Sequence, residues 1–169
     1  SDATASAFAN GELDYYDIGP DPDGFARAKA TPNAEIRKAG GPNFRHFTFN
    51  TKAPNLTDVK VRQAIAMGLD REAIAKSDLA GIDWAAKPLN NNVFIESQTG
   101  YKDQAEATGI KFDRAKASAL LDEAGWKMND STKVREKDGK PLLVKFAALT
   151  GVKASENEAI TAQNQLKEI

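Results

Sequence analysis

The chain has 169 residues, of which 41% are hydrophobic and 28% are charged, a composition typical of a globular protein of single-domain size. Its 23 Lys and Arg residues against 24 Asp and Glu give a net charge of −1, which offers no basic surface for nucleic acid and no polybasic attraction to a membrane. The absence of cysteine excludes disulfides, thiolate metal sites and cysteine nucleophiles.

The first fifty residues predict two short helices and several extended segments. Residues 2–10 are predicted to form a helix, residues 13–18 a strand and residues 22–30 a second helix, which begins at a proline. Two further strands are predicted at 34–38 and 44–50, separated by the turn-forming residues Gly40, Gly41 and Pro42.

Two consecutive helices are predicted next, each with an aspartate at its start. Asp58 is a good N-cap, and an apolar stripe follows at the spacing of one helical face, made of Val61, Ile65 and Leu69. Arg62 lies four residues after Asp58, so an ion pair between them is predicted to contribute about 0.3–0.5 kcal/mol. Asp70 is the expected N-cap of the second helix, which should end at about Ser77.

The helix with the strongest pattern is predicted after Asp113. Its core-facing stripe has the spacing i, i+3, i+4, i+7 and comprises Ala117, Leu120, Leu121 and Ala124. Glycine at position 125 suits the left-handed backbone conformation that often follows the last helical residue. Trp126 is then placed to pack back on Leu121.

The remainder of the chain predicts a hairpin and a final helix. Strands are expected at 132–136 and 142–149, with a turn at Asp138 and Gly139. The final helix is predicted to begin near Ser155, with Glu158 completing a capping box. The overall fold class is therefore mixed α/β, with helices packed on a mixed sheet.

Three blocks of this sequence resemble one family. Residues 49–74 match the pattern FNT…P…D…VRQAI…ALDRE.I, which is carried here by Asp58, Arg62, Gln63, Ala64, Asp70 and Arg71. The runs NGELDYYDIG near the start and FDRAKASALLDEAGW…KDGKPLLVKF later are similar to two further blocks of the same family. That family is the peptide/nickel-type (family 5) solute-binding proteins of ABC importers, and the resemblance covers most of the chain.

The resemblance implies a type II periplasmic-binding-protein-like fold, in which two lobes joined by a hinge enclose a solute. Residues 1–40 would then be the end of the first lobe and residues 41–169 the first half of the second. The chain starts without Met and ends within a helical pattern, so we expect it to be a fragment of a longer protein. The implied partners are a peptide or similar small solute and an ABC permease, with no cofactor. The implied location is extracytoplasmic, either periplasmic or tethered as a lipoprotein. An unpaired sheet edge in such a fragment would favour self-association.

The best candidate for ligand contact lies within residues 80–112, a long segment with no clear period. Aromatic rings offer stacking surfaces, and asparagine amides can both donate to and accept from peptide groups. The tentative ligand-binding residues are Trp84, Asn90, Asn91, Asn92 and Phe94. The alternative is a surface loop whose two aromatic side chains are buried in the domain's own core.

Catalysis has little support in the sequence. His46 is the only histidine, it lies in a predicted strand, and neither a nucleophile elbow nor a phosphate-binding glycine motif accompanies it. One histidine without cysteine also argues against a metal site. We predict no catalytic residue and no enzyme activity. Two alternatives remain, a carbohydrate or peptide hydrolase using paired carboxylates and a non-catalytic interaction module.

Overall fold

A computed structural model describes residues 2–41 and 44–169, except for the side chain of Lys153. Pro42, the last residue of the predicted turn at 40–42, therefore lies outside the described residues. The helices are α1 (Asp2–Ala9), α2 (Pro22–Ala30), α3 (Val59–Gly68), α4 (Arg71–Asp78), α5 (Gln104–Thr108), α6 (Arg114–Glu123) and α7 (Lys153–Leu166), with a 3₁₀ turn at Pro54–Leu56. The strands are β1 (Lys127–Asn129), β2 (Val134–Lys137) and β3 (Lys140–Pro141).

Aspartate caps place the helix starts where the sequence predicts them. The side chain of Asp58 accepts from the Lys60 amide at 2.8 Å, and that of Asp113 accepts from the Lys116 amide at 2.9 Å. Asp70 caps α4 in the same way at 3.0 Å. Each carboxylate satisfies an amide that has no partner within the helix and adds a negative charge at the positive end of its dipole.

The end of α6 confirms the predicted left-handed termination. Gly125 has φ of 86°, its amide donates to the Asp122 carbonyl at 3.1 Å, and the Trp126 amide donates to the Leu121 carbonyl at 2.9 Å. This pair of bonds is the Schellman arrangement, which requires a residue without a Cβ penalty at positive φ.

The core lies between α3 and α6, with α7 packed at one end. Both predicted stripes are in it, since Val61 and Ala117 are fully buried and Leu121 is 2% exposed. The buried apolar cluster comprises Leu56, Val61, Ala64, Ile65, Leu69, Ile74, Ala117, Leu121, Ala124, Trp126, Ala162 and Ile169. No residue of 2–41 belongs to this cluster. Within residues 2–41, helices α1 and α2 pack on each other instead.

The sheet is small and antiparallel in the order β1-β2-β3. Met128 pairs with Arg135, and Lys137 pairs with Lys140 across the predicted turn. Asp138 and Gly139 have φ of 51° and 71°, the backbone of a two-residue hairpin turn that matches strand twist. The mixed α/β fold class is confirmed, with helices contributing most of the regular secondary structure.

Four predicted strands do not form ladders. Residues 13–18, 34–38, 44–50 and 142–149 contain no strand residue in the described structure. Alternating side chains favour an extended backbone, but a strand also needs a partner at hydrogen-bonding distance. Phe47 and Phe146 nevertheless meet edge to face with ring centroids 5.0 Å apart, so two of these segments lie side by side without backbone pairing.

Two local predictions are also wrong, the capping box of α7 and the ion pair between Arg62 and Asp58. Helix α7 begins at Lys153 without a side-chain cap. Ser155 and Glu158, predicted as its capping box, instead accept from the Leu149 amide and from Arg45. Arg62 does not pair with Asp58. Its guanidinium donates to the carbonyls of Leu56 and Thr57 at 2.8 and 2.9 Å, which ties α3 to the preceding turn.

Across the described residues, the helices are too short or too polar for any of them to serve as a membrane span.

Candidate functional site

The predicted contact segment, residues 84–94, runs between α4 and α5 and is organised by Asn91. This residue is 7% exposed. Its Oδ1 accepts from the amides of Val93 and Phe94, each at 2.9 Å, and its Nδ2 donates to the Lys102 carbonyl at 3.0 Å. The side chain therefore folds the segment on itself and joins it to the residues before α5. Its polar groups are occupied within the loop.

Asn90 provides the second attachment of the segment. Its Nδ2 donates to Oδ2 of Asp103 at 2.8 Å, and its carbonyl accepts from the Gln104 amide at 2.8 Å. Oδ1 of Asn90 is buried and has no donor among the described residues. An acceptor in this condition is a group that a bound donor would satisfy.

Asp103 links this attachment to the start of α5. Its Oδ1 accepts from the Glu106 amide at 2.9 Å, while its Oδ2 accepts from Asn90. The hydrogen bond from the Glu106 amide, followed by that from Asn90, lowers the pKa of Asp103 below its ordinary value. The carboxylate form of Asp103 is therefore the one that holds the loop.

The two aromatic side chains of the segment are not buried in the core. Trp84 is 43% exposed and Phe94 is 38% exposed, whereas the other tryptophan, Trp126, is 9% exposed. The ring of Phe94 lies against the backbone at Gly100, where an added Cβ would be 3.4 Å from Cζ. Asn92 is exposed beside it. Trp84, Asn92 and Phe94 thus present apolar and amide groups to solvent, while Asn90 and Asn91 hold the backbone that carries them.

Two cavities formed by described residues lie elsewhere. One of about 230 Å³ is formed by α1, α2 and the segment between them, and its lining includes Asp17, Asp21 and Arg27. The other, of about 270 Å³, lies between α3, α6 and the residues after α5, and its lining includes Met67 and Leu120. Neither is lined by a residue of 84–94.

Within the described part of the chain, the one histidine and the possible metal-binding side chains are the groups to compare with what catalysis requires. His46 is exposed, and its ring centroid is 5.3 Å from that of Phe44. Among the described residues no group of three or more His, Cys, Asp or Glu side chains could hold a metal ion. Asp78 ends α4 and Glu158 lies in α7, and burial is the main cause that raises the pKa of Asp78 to about 6.

Sequence reasoning missed the ion pair between Arg45 and Glu158. Arg45 binds Glu158 through two nitrogens, with 2.5 Å between Nη2 and Oε2. The two residues are 113 positions apart in the chain, and the one local signal, the spacing of Ser155 and Glu158, indicated a helix cap instead.

Comparisons with known proteins agree on one family. The profile described as bacterial extracellular solute-binding proteins, family 5 Middle, matches residues 1–169. The oligopeptide-binding protein OppA of Mycobacterium tuberculosis H37Rv is 37% identical over 145 residues, covering 85% of this chain and 24% of that protein. The oligopeptide-binding protein AppA of Bacillus subtilis is 28% identical over 173 residues, covering 100% of this chain and 30% of that protein. The chain thus spans about a quarter of the length of such curated relatives.

Two solved structures share the fold over 99% of this chain. NikA from Brucella suis in complex with Fe(III)-EDTA has a TM-score of 0.63 and 27% identity, with 33% of its chain covered. AppA from B. subtilis in complex with a nonapeptide has a TM-score of 0.60 and 25% identity, with 32% of its chain covered.

Proposed function

This chain belongs to family 5 of the bacterial extracellular solute-binding proteins, and on that basis we propose that it is part of an ABC importer's substrate-binding protein that captures peptides or similar small solutes outside the membrane. The family match over residues 1–169 carries the proposal. Relatives that are 28% and 37% identical are oligopeptide-binding proteins, which favours a peptide as the cargo. Such a protein binds its cargo without chemical change, in keeping with the proposal that this chain is not an enzyme.

Residues 1–40 and 41–169 belong to different lobes in this proposal. The composition of the core supports the division, because the buried cluster begins at Leu56 and its partly buried neighbours begin at Phe47. Helices α1 and α2 contact each other. Among the described residues, one ion pair between the two parts joins Lys38 to Asp83, whose side chain is 94% exposed. A solute that contacts both lobes would favour a closed arrangement over an open one.

Trp84, Asn92 and Phe94 are the residues that we expect to contact the solute directly. Exposed rings and a free amide on a firmly attached loop suit a peptide, whose backbone offers both donors and acceptors. Asn90 contributes by holding the loop to Asp103, and its Oδ1 is buried. Asn91 contributes by holding the loop, since its amide already makes three hydrogen bonds.

Two ligand classes can be separated by one experiment. We expect a nonapeptide and shorter peptides to raise the melting temperature of the full-length protein, with the rise increasing with peptide concentration, because a ligand that binds only the folded state stabilises it. Fe(III)-EDTA, the ligand of the NikA complex, is the competing probe. A response to Fe(III)-EDTA alone would indicate that the solute is a metal chelate and not a peptide. No response to either probe would refute solute capture.

Location and the membrane partner complete the proposal. We infer an extracytoplasmic protein, periplasmic or lipid-tethered, that delivers its cargo to an ABC permease. Cell fractionation tests the location, and loss of peptide uptake on deletion of the gene tests the transport role. Recovery of the protein in the cytosol would contradict both.

Self-association of this chain is proposed from its unpaired backbone. The amides of residues 44–49 and of residues 143–148 have no hydrogen-bond acceptor among the described residues, and Leu143 and Leu149 are 65% and 64% exposed. Extended segments of this kind can pair with those of a second copy. Sedimentation of the 169-residue chain at micromolar concentration should show a dimer or larger species. A monomer would argue against such pairing.

A further inference from the structure

Residues 79–84 lead from the end of α4 into the solute-contact segment through a tight turn. The Ile82 amide donates to the Leu79 carbonyl at 3.0 Å, and the Trp84 amide donates to the Ile82 carbonyl at 2.7 Å. Gly81 has φ of 88°, a conformation that glycine adopts without steric cost. The two hydrogen bonds fix the backbone immediately before Trp84, so the position of its ring depends on what holds this turn.

The turn packs directly on the start of α2. A Cβ added at Gly81 would be 3.2 Å from Cβ of Pro22, the first residue of α2. The backbone of the turn and the proline ring are therefore in close contact. Helix α2 contributes nothing to the core around α3 and α6. This contact thus joins the two parts of the chain outside that core.

Lys38 joins the same two elements through its side chain. Its Nζ lies 5.4 Å from the centre of the Phe25 ring, which is on α2, and donates to the backbone carbonyl of Asp83. Oδ2 of Asp83 is 3.4 Å from the same nitrogen. The Lys38 side chain is only 31% exposed. One ammonium group therefore makes both a cation–π contact and a charge-assisted hydrogen bond.

The backbone carbonyl and the ring account for most of this contact. The Asp83 side chain is 94% exposed, and an ion pair in solvent contributes little. A hydrogen bond to the Asp83 carbonyl has a different effect, because it holds the main chain itself. This carbonyl belongs to the residue directly before Trp84. The contact of Lys38 is thus made at the point where the solute-contact segment begins.

We propose that Lys38 is a positioning residue for the solute-contact segment, in that it holds the turn before Trp84 on α2. Its consequence for binding rests on the proposed function, in which Trp84 contacts the solute. Lys38 is not among the residues that we expect to contact the solute. Loss of its ammonium group therefore leaves every contacting group present, but allows the turn to move away from α2 and Trp84 to move with it.

Amide exchange of the full-length protein without solute tests the position of the turn. Lys38→Met keeps an apolar side chain beside Phe25 and removes the ammonium group. Exchange at Ile82 and Trp84 should then become about three- to tenfold faster, because a cation–π contact and a hydrogen bond are lost. Lys38→Arg should restore slow exchange, since a guanidinium also stacks on rings and donates to carbonyls.

Three further variants separate this contact from an ordinary ion pair. Lys60→Met removes a surface ion pair whose lysine side chain is 44% exposed, and should leave exchange at Trp84 unchanged. Asp83→Asn neutralises the carboxylate but keeps the backbone carbonyl, so it should also have little effect. Gly81→Ala introduces a Cβ at positive φ into the contact with α2, and should accelerate exchange as Lys38→Met does.

The affinity for a nonapeptide is the second reading, and it depends on the proposed function. Calorimetric titration should show about three- to tenfold weaker binding in Lys38→Met, recovery in Lys38→Arg and no change in Lys60→Met. Unchanged exchange at Trp84 in Lys38→Met, equal effects of Lys60→Met, or full nonapeptide affinity in Lys38→Met would overturn the proposal. If the unmodified protein bound no peptide, the proposed function would fail, and the exchange measured without solute would still decide whether Lys38 holds the turn.

Discussion

Gly68, the last residue of α3, is the position where one added methyl group should have a clearly defined effect on stability. A Cβ at this site would be 2.6 Å from Cδ1 of Ile169 and 3.3 Å from Cδ2 of Leu166. Ile169 is 5% exposed, so its side chain cannot move aside into solvent. The substitution Gly68→Ala therefore inserts a methyl group into a filled contact between α3 and the end of α7.

Two opposing terms set the magnitude. Alanine is favoured over glycine in a helix by about 1 kcal/mol. Overpacking of a well-filled core costs about 1–3 kcal/mol. We expect a net destabilisation of about 1 kcal/mol for Gly68→Ala. Ile169→Val removes the Cδ1 atom that causes the closest contact and costs about 1 kcal/mol alone. The double variant should be more stable than the sum of the two changes predicts, by about 1 kcal/mol.

Urea unfolding measured by the fluorescence of the buried Trp126 is the assay. Gly40→Ala is the matched control, because a Cβ at Gly40 meets nothing within 4 Å. This control should stabilise the chain by about 0.4–1 kcal/mol, because alanine lowers the conformational entropy of the unfolded chain. If Gly68→Ala stabilises the chain as the control does, or if Gly68→Ala and Ile169→Val are simply additive, the packing described between α3 and α7 is wrong.

Three further predictions test the loop, a cap and a buried cation. Asn91→Ala removes three hydrogen bonds of the contact loop and should destabilise it by about 1–3 kcal/mol, with faster amide exchange at Val93 and Phe94. Unchanged exchange there would show that the loop is held by other contacts. Asp113→Ala should lower stability by about 1 kcal/mol through loss of the α6 cap, which Asp113→Asn should largely restore in a urea titration. Arg135→Met should cost about 2–4 kcal/mol, because the buried guanidinium donates to Asp122 and to two carbonyls. A urea midpoint equal to that of the unmodified chain would refute this role of Arg135.

Local chemistry explains which elements could be predicted. A capping aspartate, an apolar stripe and a left-handed glycine all act within about two turns of the chain, so α3, α4 and α6 were predicted correctly. The Asp138-Gly139 turn is equally local. Helix α5 was missed although Asp103 caps it and Gly109 ends it at φ of 69°. Its five residues are too few to show a period.

Long-range contacts explain the failures. Residues 44–50 and 142–149 have the alternation of strands, yet strand formation depends on a partner that the segment itself does not encode. Glu158 has the spacing of a capping residue, but Arg45, 113 positions away in sequence, binds it instead. The buried Arg135 could not be predicted, since it lies in a strand of polar residues and its partners come from α6 and from Ile169.

The candidate site was predicted only in part. The segment 84–94 was identified by its composition, and the structure shows its two rings exposed. The different tasks of the three asparagines were not visible in the sequence. Asn90 and Asn91 hydrogen-bond to residues 102 and 103, on the far side of the loop, whereas Asn92 is exposed. A run of identical side chains gives no indication of which members face inward.

Calorimetric titration of the full-length protein with a nonapeptide tests the central claim most directly. We expect saturable binding in the unmodified protein, about tenfold weaker binding in Phe94→Ala, which loses a ring contact, and unchanged binding in Phe112→Ala, a control of similar exposure outside the loop. Absence of heat with every peptide tested would contradict the account, as would equal losses of affinity in Phe94→Ala and Phe112→Ala.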